Sequence, residues 1–255
     1  MKIFISKLGS ALFAVIILSS PALAEPTHLT IRAKAHDAKF IGTSMAGADV
    51  QITSVPGDQL LAQGVILGGT GDTARLLINP IERHQQLSTA NAAAFTTTLD
   101  INEPTQVKIS VSGPKVAGAS AAIQSKTLWL IPGHHLDGDG VVFEFYGLTV
   151  ATVSPLPNQP ALQGKPITLT AFVTMMCGCP IQKDSLWPVN EFTVEAWLWR
   201  DSTLVKRLPM AYSGKTGVFT TTFVPTAPGG YQITFSAAQD SRGNFGVSYG
   251  GFSVK

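Results

Sequence analysis

Apolar and polar residues alternate with period two along much of this chain, the signature of β-strands with one face buried. The alternation is most regular in the C-terminal part, where it predicts strands at Leu148–Val153, Ile167–Met176, Phe192–Trp199, Leu204–Leu208, Val218–Val224, Tyr231–Ala237 and Phe245–Val254. Gly, Pro, Asn and Asp cluster between these segments, as tight turns require. Few runs carry a helical period, and Thr, Val, Gly and Pro are abundant. Seven short strands separated by turn signals predict a Greek-key sandwich of two packed sheets. The fold class read from the pattern is all-β.

The same pattern repeats within the chain. Phe95-Thr-Thr-Thr-Leu99 recurs as Phe219-Thr-Thr-Thr-Phe223, and the alternating segment Val107–Val111 recurs at the same spacing as Tyr231–Phe235. A proline-containing turn joins the two strands in each copy, through Asn102–Thr105 and through Pro225–Gly230. Two strands matched at one separation predict a duplicated or convergent hairpin, and hence tandem copies of similar topology. The total of 255 residues suits two domains better than one. The expected division is a leader at 1–24, a first sandwich at 25–147 and a second at 148–255. Pro155, Pro157, Pro160 and Pro166 are expected to stiffen the entrance to the second sandwich, with the boundary near Thr149–Lys165.

The leader rests on its own pattern. Lys2 and Lys7 precede the apolar run Ala11–Leu18, and Ala22-Leu23-Ala24 forms a small-x-small cleavage site. The run is too short for a stable bilayer anchor, and no cysteine follows the cleavage site to take a lipid. These features predict an exported chain, periplasmic or extracellular, with no integral membrane anchor and beginning at Glu25. Removing Lys2 and Lys7 from the 18 basic residues balances the chain against its 16 acidic ones. That balance gives no electrostatic basis for binding nucleic acid.

The segment Pro228–Asn244 resembles the closing hairpin of bacterial immunoglobulin-like and fibronectin type III-like domains: a Pro-Gly-x-Tyr turn, a strand ending at Ala238-Gln-Asp240, then a Gly243-Asn244 turn. The resemblance implies two tandem immunoglobulin-like Greek-key β-sandwiches. In the first half, Ala46–Thr53 followed by Leu60–Gly64 resembles transthyretin-like or carboxypeptidase-regulatory-like sandwiches. Such domains occur in adhesins, enzyme appendages and metal-handling accessories, so the resemblance bears on fold and not on activity.

Candidate chemistry concentrates at the end of the strand from Ile167. Met175, Met176, Cys177 and Cys179 lie within five positions and include the only two cysteines. In an oxidising compartment the two cysteines are expected to pair and tie a surface loop. Thiolates and thioethers also suit Cu(I), which makes Cys177, Cys179 and Met176 a candidate soft-metal set, although alternation sends Met175 and Met176 to opposite faces. A redox-active pair is the third reading, because a Cys-x-Cys disulfide is tight.

A second polar concentration, Gly133–Gly140, holds His134, His135, Asp137 and Asp139. It lacks the remaining ligands of an EF-hand loop and reads as a solvated turn. Gly68–Thr73 lacks the lysine and following helix of a phosphate loop and also reads as a turn. Residues Asn79–Asn91 read as a long polar connection. Trp197 and Trp199 share parity with Glu195, opposite Phe192, Val194, Ala196 and Leu198, which makes them an outward aromatic stripe for a sugar or protein, or else a pair covered by a neighbouring element. No nucleophile elbow, zinc-protease motif or dinucleotide loop is present in the sequence.

The expected function is therefore a non-enzymatic exported binding or interaction module with a protein or cell-envelope partner and no required cofactor. The alternative is periplasmic copper handling or thiol redox exchange at Met175–Cys179. In a Greek-key sandwich the loop after the second strand returns to the end where the chain comes in. Cys177–Asn190, Gln239–Asn244 and Gly133–Gly140 are thus expected to meet in an interdomain cleft. His134, His135, Asp137 or Asp139 should then lie within one loop's reach of the cysteines.

Overall fold

The computed structural model describes residues 24–255, so the expected leader, apart from Ala24, lies outside the described residues. The strands are β1 (Glu25–Ala35), β2 (Ala48–Val55), β3 (Leu60–Ile66), β4 (Phe95–Ile101), β5 (Thr105–Gly113), β6 (Ala122–Leu130), β7 (Leu136–Phe145), β8 (Leu148–Ser154), β9 (Ile167–Met175), β10 (Thr193–Arg200), β11 (Thr203–Pro209), β12 (Ala211–Tyr212), β13 (Val218–Phe223), β14 (Gly229–Gln239) and β15 (Asn244–Val254). They form sheets β4-β1-β7 and β3-β2-β5-β6 in the first half, and β12-β13-β9-β8 and β11-β10-β14-β15 in the second. The fold is all-β, with a pair of sheets in each half. Alternation explains the layers. On β9, Leu169, Ala171, Val173 and Met175 are fully buried while Thr168 and Phe172 face outward.

The duplicated segments are β4 with β5 and β13 with β14, but neither pair is the hairpin expected. Strand β4 pairs with β1 while β5 pairs with β2 and β6. Likewise β13 pairs with β9 while β14 pairs with β10 and β15. In each half the proline-containing connection carries the chain from one sheet to the other, so the repeat marks the same crossing in both copies. In the second half Tyr231 fastens it. The tyrosine hydroxyl donates to the Ala227 carbonyl at 3.0 Å, and the buried ring stacks on Phe252 with centroids 5.3 Å apart. Tyr231→Phe should lower the urea midpoint by an amount equivalent to about 1 kcal/mol with an unchanged slope. An unmoved midpoint would show that the backbone alone holds this corner.

Strand β7 corrects the reading of Gly133–Gly140 as a solvated turn from Leu136 onward. In the second half β9 lies between β13 and an antiparallel β8; in the first, β1 lies between β4 and a parallel β7. The first sandwich is thus completed by its last strand. Residues Leu136–Gly140 open that strand, and the register slips between Leu29↔Leu136 and Ile31↔Val141, so that Asp137–Gly140 bulge. Gly140 has φ 61, and a Cβ there would collide with the Thr30 carbonyl, so glycine is required on both counts.

The connection from β7 to β8 is only Tyr146 and Gly147. The prolines at 155–166 instead join β8 to β9 within one sheet, not the two halves as expected. Buried residues form one continuous cluster through the junction, including Phe145, Leu148 and Met176. Gly68–Thr73 is a loop, but a five-residue π-helical turn, Ala74–Ile78, follows it where no helix was expected.

Candidate functional site

The loop after β9 folds back against the first half. Gly178, at φ 79, lets the chain reverse after Met176, and its amide donates to the Met175 carbonyl at 2.8 Å. The Cys179 carbonyl accepts from the Met175 amide at 3.2 Å and from the Thr174 hydroxyl at 2.7 Å. These bonds bring the sulfurs of Cys177 and Cys179 to disulfide-bonding distance. A Cβ on Gly178 would lie 2.9 Å from the Met45 sulfur, so the turn is also shaped to the neighbouring half. Met175 and Met176 are both buried. The Met176 thioether packs against Gly147 of the link.

This loop and the first half enclose a cleft of about 310 Å³. Lys39, Thr70 and Thr73 line it from one side, and Cys177, Cys179 and Trp187 from the other. Lys39 Nζ donates to Thr73 Oγ1 at 3.3 Å, and Trp187 Nε1 donates to the Asp37 carbonyl at 3.0 Å. The lining offers hydroxyls, one ammonium and an indole, groups that hydrogen-bond and stack. Lys39, Thr70 and Thr73 were not among the sequence candidates, whereas Trp187 falls in Cys177–Asn190, the segment expected at this cleft. Thr70 and Thr73 had only the turn Gly68–Thr73 as a local signal, which showed nothing of what it faces.

His134, His135, Asp137 and Asp139 lie elsewhere. His135 Nδ1 accepts from the His28 amide at 3.1 Å, and the two rings stack with centroids 4.5 Å apart. His134 and Asp137 are exposed beside them. Along β1 seven residues separate His28 from Ala35, so at about 3.3 Å per residue this cluster is about 23 Å from the junction end of the strand. The expected meeting of histidines and cysteines is not formed. The physical reason is β7 itself: starting far away and running parallel to β1, it takes the chain along the whole sheet.

Asp139 instead anchors the connection 79–91. Its carboxylate accepts from the amides of Leu87 and Ser88, both at 2.7 Å. Burial pushes its pKa up, but these bonds, the Ser88 hydroxyl and the nearby Arg32 charge together hold it below the usual carboxylate value. Arg32 is itself buried. Its guanidinium donates to the carbonyls of Ala92 at 2.7 Å, Ala93 at 2.9 Å and Gly138 at 3.0 Å, and burial lowers its pKa.

Trp197 and Trp199 face outward on β10, as Val194, Ala196 and Leu198 fill the core. The Trp197 indole N–H donates to Glu195 at 3.3 Å, and the Arg207 guanidinium lies 4.4 Å over its ring. Among the described residues no helix is long and apolar enough to cross a membrane.

No protein-family model matches the chain, and no curated protein matches it. Among solved structures it is similar to an engineered protein at 19% identity and TM-score 0.32, over 46% of this chain and only 22% of that one. It is similar to the fibronectin(III)-like modules of Clostridium thermocellum CbhA at 12% identity and TM-score 0.31, over 93% and 92% of the two chains. Domains 4 and 5 of the S-layer protein SbsC are similar at 15% identity and TM-score 0.29, over 61% and 68%.

Proposed function

We propose that this chain is an exported, non-enzymatic binding protein of the cell envelope, which takes its partner in the cleft between the two sandwiches. The cleft itself carries the reading. Hydrogen-bonding side chains from one half face an indole and a cysteine-tied loop from the other, so a partner seated there would touch both halves at once. Export is supported by the leader pattern at 1–24 and by a cysteine pair suited to an oxidising compartment. Expression of the full chain should give a processed protein in the periplasm or medium. The unreduced product should show no free thiol and no bound copper. Chemical cross-linking to envelope fractions should be lost in Thr73→Trp, which fills the cleft.

The second reading, copper handling or thiol exchange, draws on the cysteine pair that lines the cleft. It requires the pair to open, because Cu(I) binds thiolates. Two free thiols with bound copper in the purified protein would move the assignment to it.

A further inference from the structure

The sheet β11-β10-β14-β15 covers the core with one face and leaves the other to solvent. Register fixes what stands side by side on the open face. Trp197 is opposite Thr234, which is opposite Tyr249; Trp199 is opposite Gln232, which is opposite Gly251. The tryptophans of β10 and Tyr249 of β15 are therefore two strand spacings apart, about 10 Å. Between them run the shorter side chains of Thr234 and Gln232, and Gly251 adds none.

The result is a trough of about 410 Å³ walled by Trp199 on one side and Tyr249 on the other, with Gln232 and Thr234 along its floor. Tyr249 is 67% exposed, which leaves apolar ring surface open to solvent. Trp197 stands next to Trp199 with its ring plane within 24°, but the Arg207 guanidinium covers its ring at 4.4 Å, so Trp199 forms the open part of the β10 wall. The charges beside this wall neutralise each other, since Arg207 Nε donates to Glu195 Oε2 at 2.8 Å. The lining of the trough carries no charged side chain.

A β-linked pyranose with equatorial hydroxyls presents apolar C–H faces above and below its ring and hydrogen-bonding groups around the rim. Aromatic walls match the faces, and the amide of Gln232 with the hydroxyls of Thr234 and Tyr249 match the rim. Neutral walls suit a neutral chain, whereas an anionic ligand would call for unpaired cations. We propose that this trough binds a neutral, β-linked polysaccharide, one ring stacked on Trp199 and the chain lying over β14 between Trp199 and Tyr249. The inference goes beyond the cleft reading: it is a second binding site, on a separate face of the second half.

Native affinity electrophoresis of the mature protein tests it, in gels containing hydroxyethylcellulose, glucomannan or xylan, with α-linked dextran as the control. The protein should be retarded by at least one β-linked polymer and not by dextran. Trp199→Ala and Tyr249→Ala should each weaken retardation at least about tenfold, and Tyr249→Ala should leave the melting temperature unchanged. Thr73→Trp should bind the polysaccharide as the wild type does, which separates this site from the cleft. Unaltered migration in every β-linked gel, retardation by dextran alone, or full binding by both aromatic variants would overturn the proposal.

Discussion

Replacing Arg32 with methionine should destabilise the first sandwich by about 3–5 kcal/mol, because a buried charged donor would leave its carbonyl partners behind. Arg32 is 7% exposed and donates to three carbonyls, those of Ala92, Ala93 and Gly138. Methionine fills similar volume without any donor, so the loss reports hydrogen bonding and not a cavity. The bonds tie the end of the connection 79–91 to the bulge of β7, so both should loosen together. Hydrogen exchange at Leu87, Ser88 and Ala93 would show it, while amides of β14 stay protected. A urea midpoint within error of wild type would mean that water replaces the guanidinium without cost.

The companion change Asp139→Asn adds a pH signature. The folded pKa of Asp139 lies below its unfolded value. The carboxylate therefore contributes stability that is present above the unfolded pKa, about 3.9, and is lost as pH falls through the folded one. The stability gap between wild type and Asp139→Asn should be constant from neutral pH down to about 5 and close below about 4. A gap that persists undiminished into that acidic window would show that the Leu87 and Ser88 amides do not depend on the charge.

What the sequence made legible follows from what alternation can encode. Each expected strand from Leu148 onward begins and ends close to its structural counterpart, because residues such as Leu169, Ala171 and Val173 keep a strict inward parity. Parity says which face is buried and nothing about which strand is next door. Phe219–Phe223 and Tyr231–Phe235 therefore read as a hairpin although they lie in different sheets. Strand β7 was hidden for another reason: Gly138 and Gly140 and the bulge interrupt alternation where the strand begins. The cleft was half legible. Cys177–Cys179 marked one wall, but Lys39 and Thr73 come from more than a hundred residues upstream and only folding brings them there. The same holds for Tyr249, whose place beside the tryptophans depends on the β14–β15 register.

Asn244→Ala is expected to cost about 2–4 kcal/mol and to uncouple the halves, since removing a buried side chain that satisfies several partners leaves each of them unpaired. Asn244 is fully buried at the junction. Its Oδ1 accepts from the Gly147 amide of the link at 2.9 Å, and its Nδ2 donates to the His36 carbonyl at 3.4 Å and to Gln239 Oε1 at 2.9 Å. Gln239 passes the chain on to Glu191 at 3.1 Å. One amide thus holds the first half, the link and the second half together, and Asn244→Asp, with no donor and a buried charge, should be worse still. In the wild type the continuous core should make both halves unfold in one urea transition. In Asn244→Ala the near-ultraviolet signal of Trp187, whose indole reaches across to Asp37, should be lost before the far-ultraviolet strand signal, with the second half, from Gly147 onward, the last to unfold. Coincident transitions at an unchanged midpoint would mean that the apolar cluster alone couples the sandwiches and that 147 is not a boundary between independently stable units.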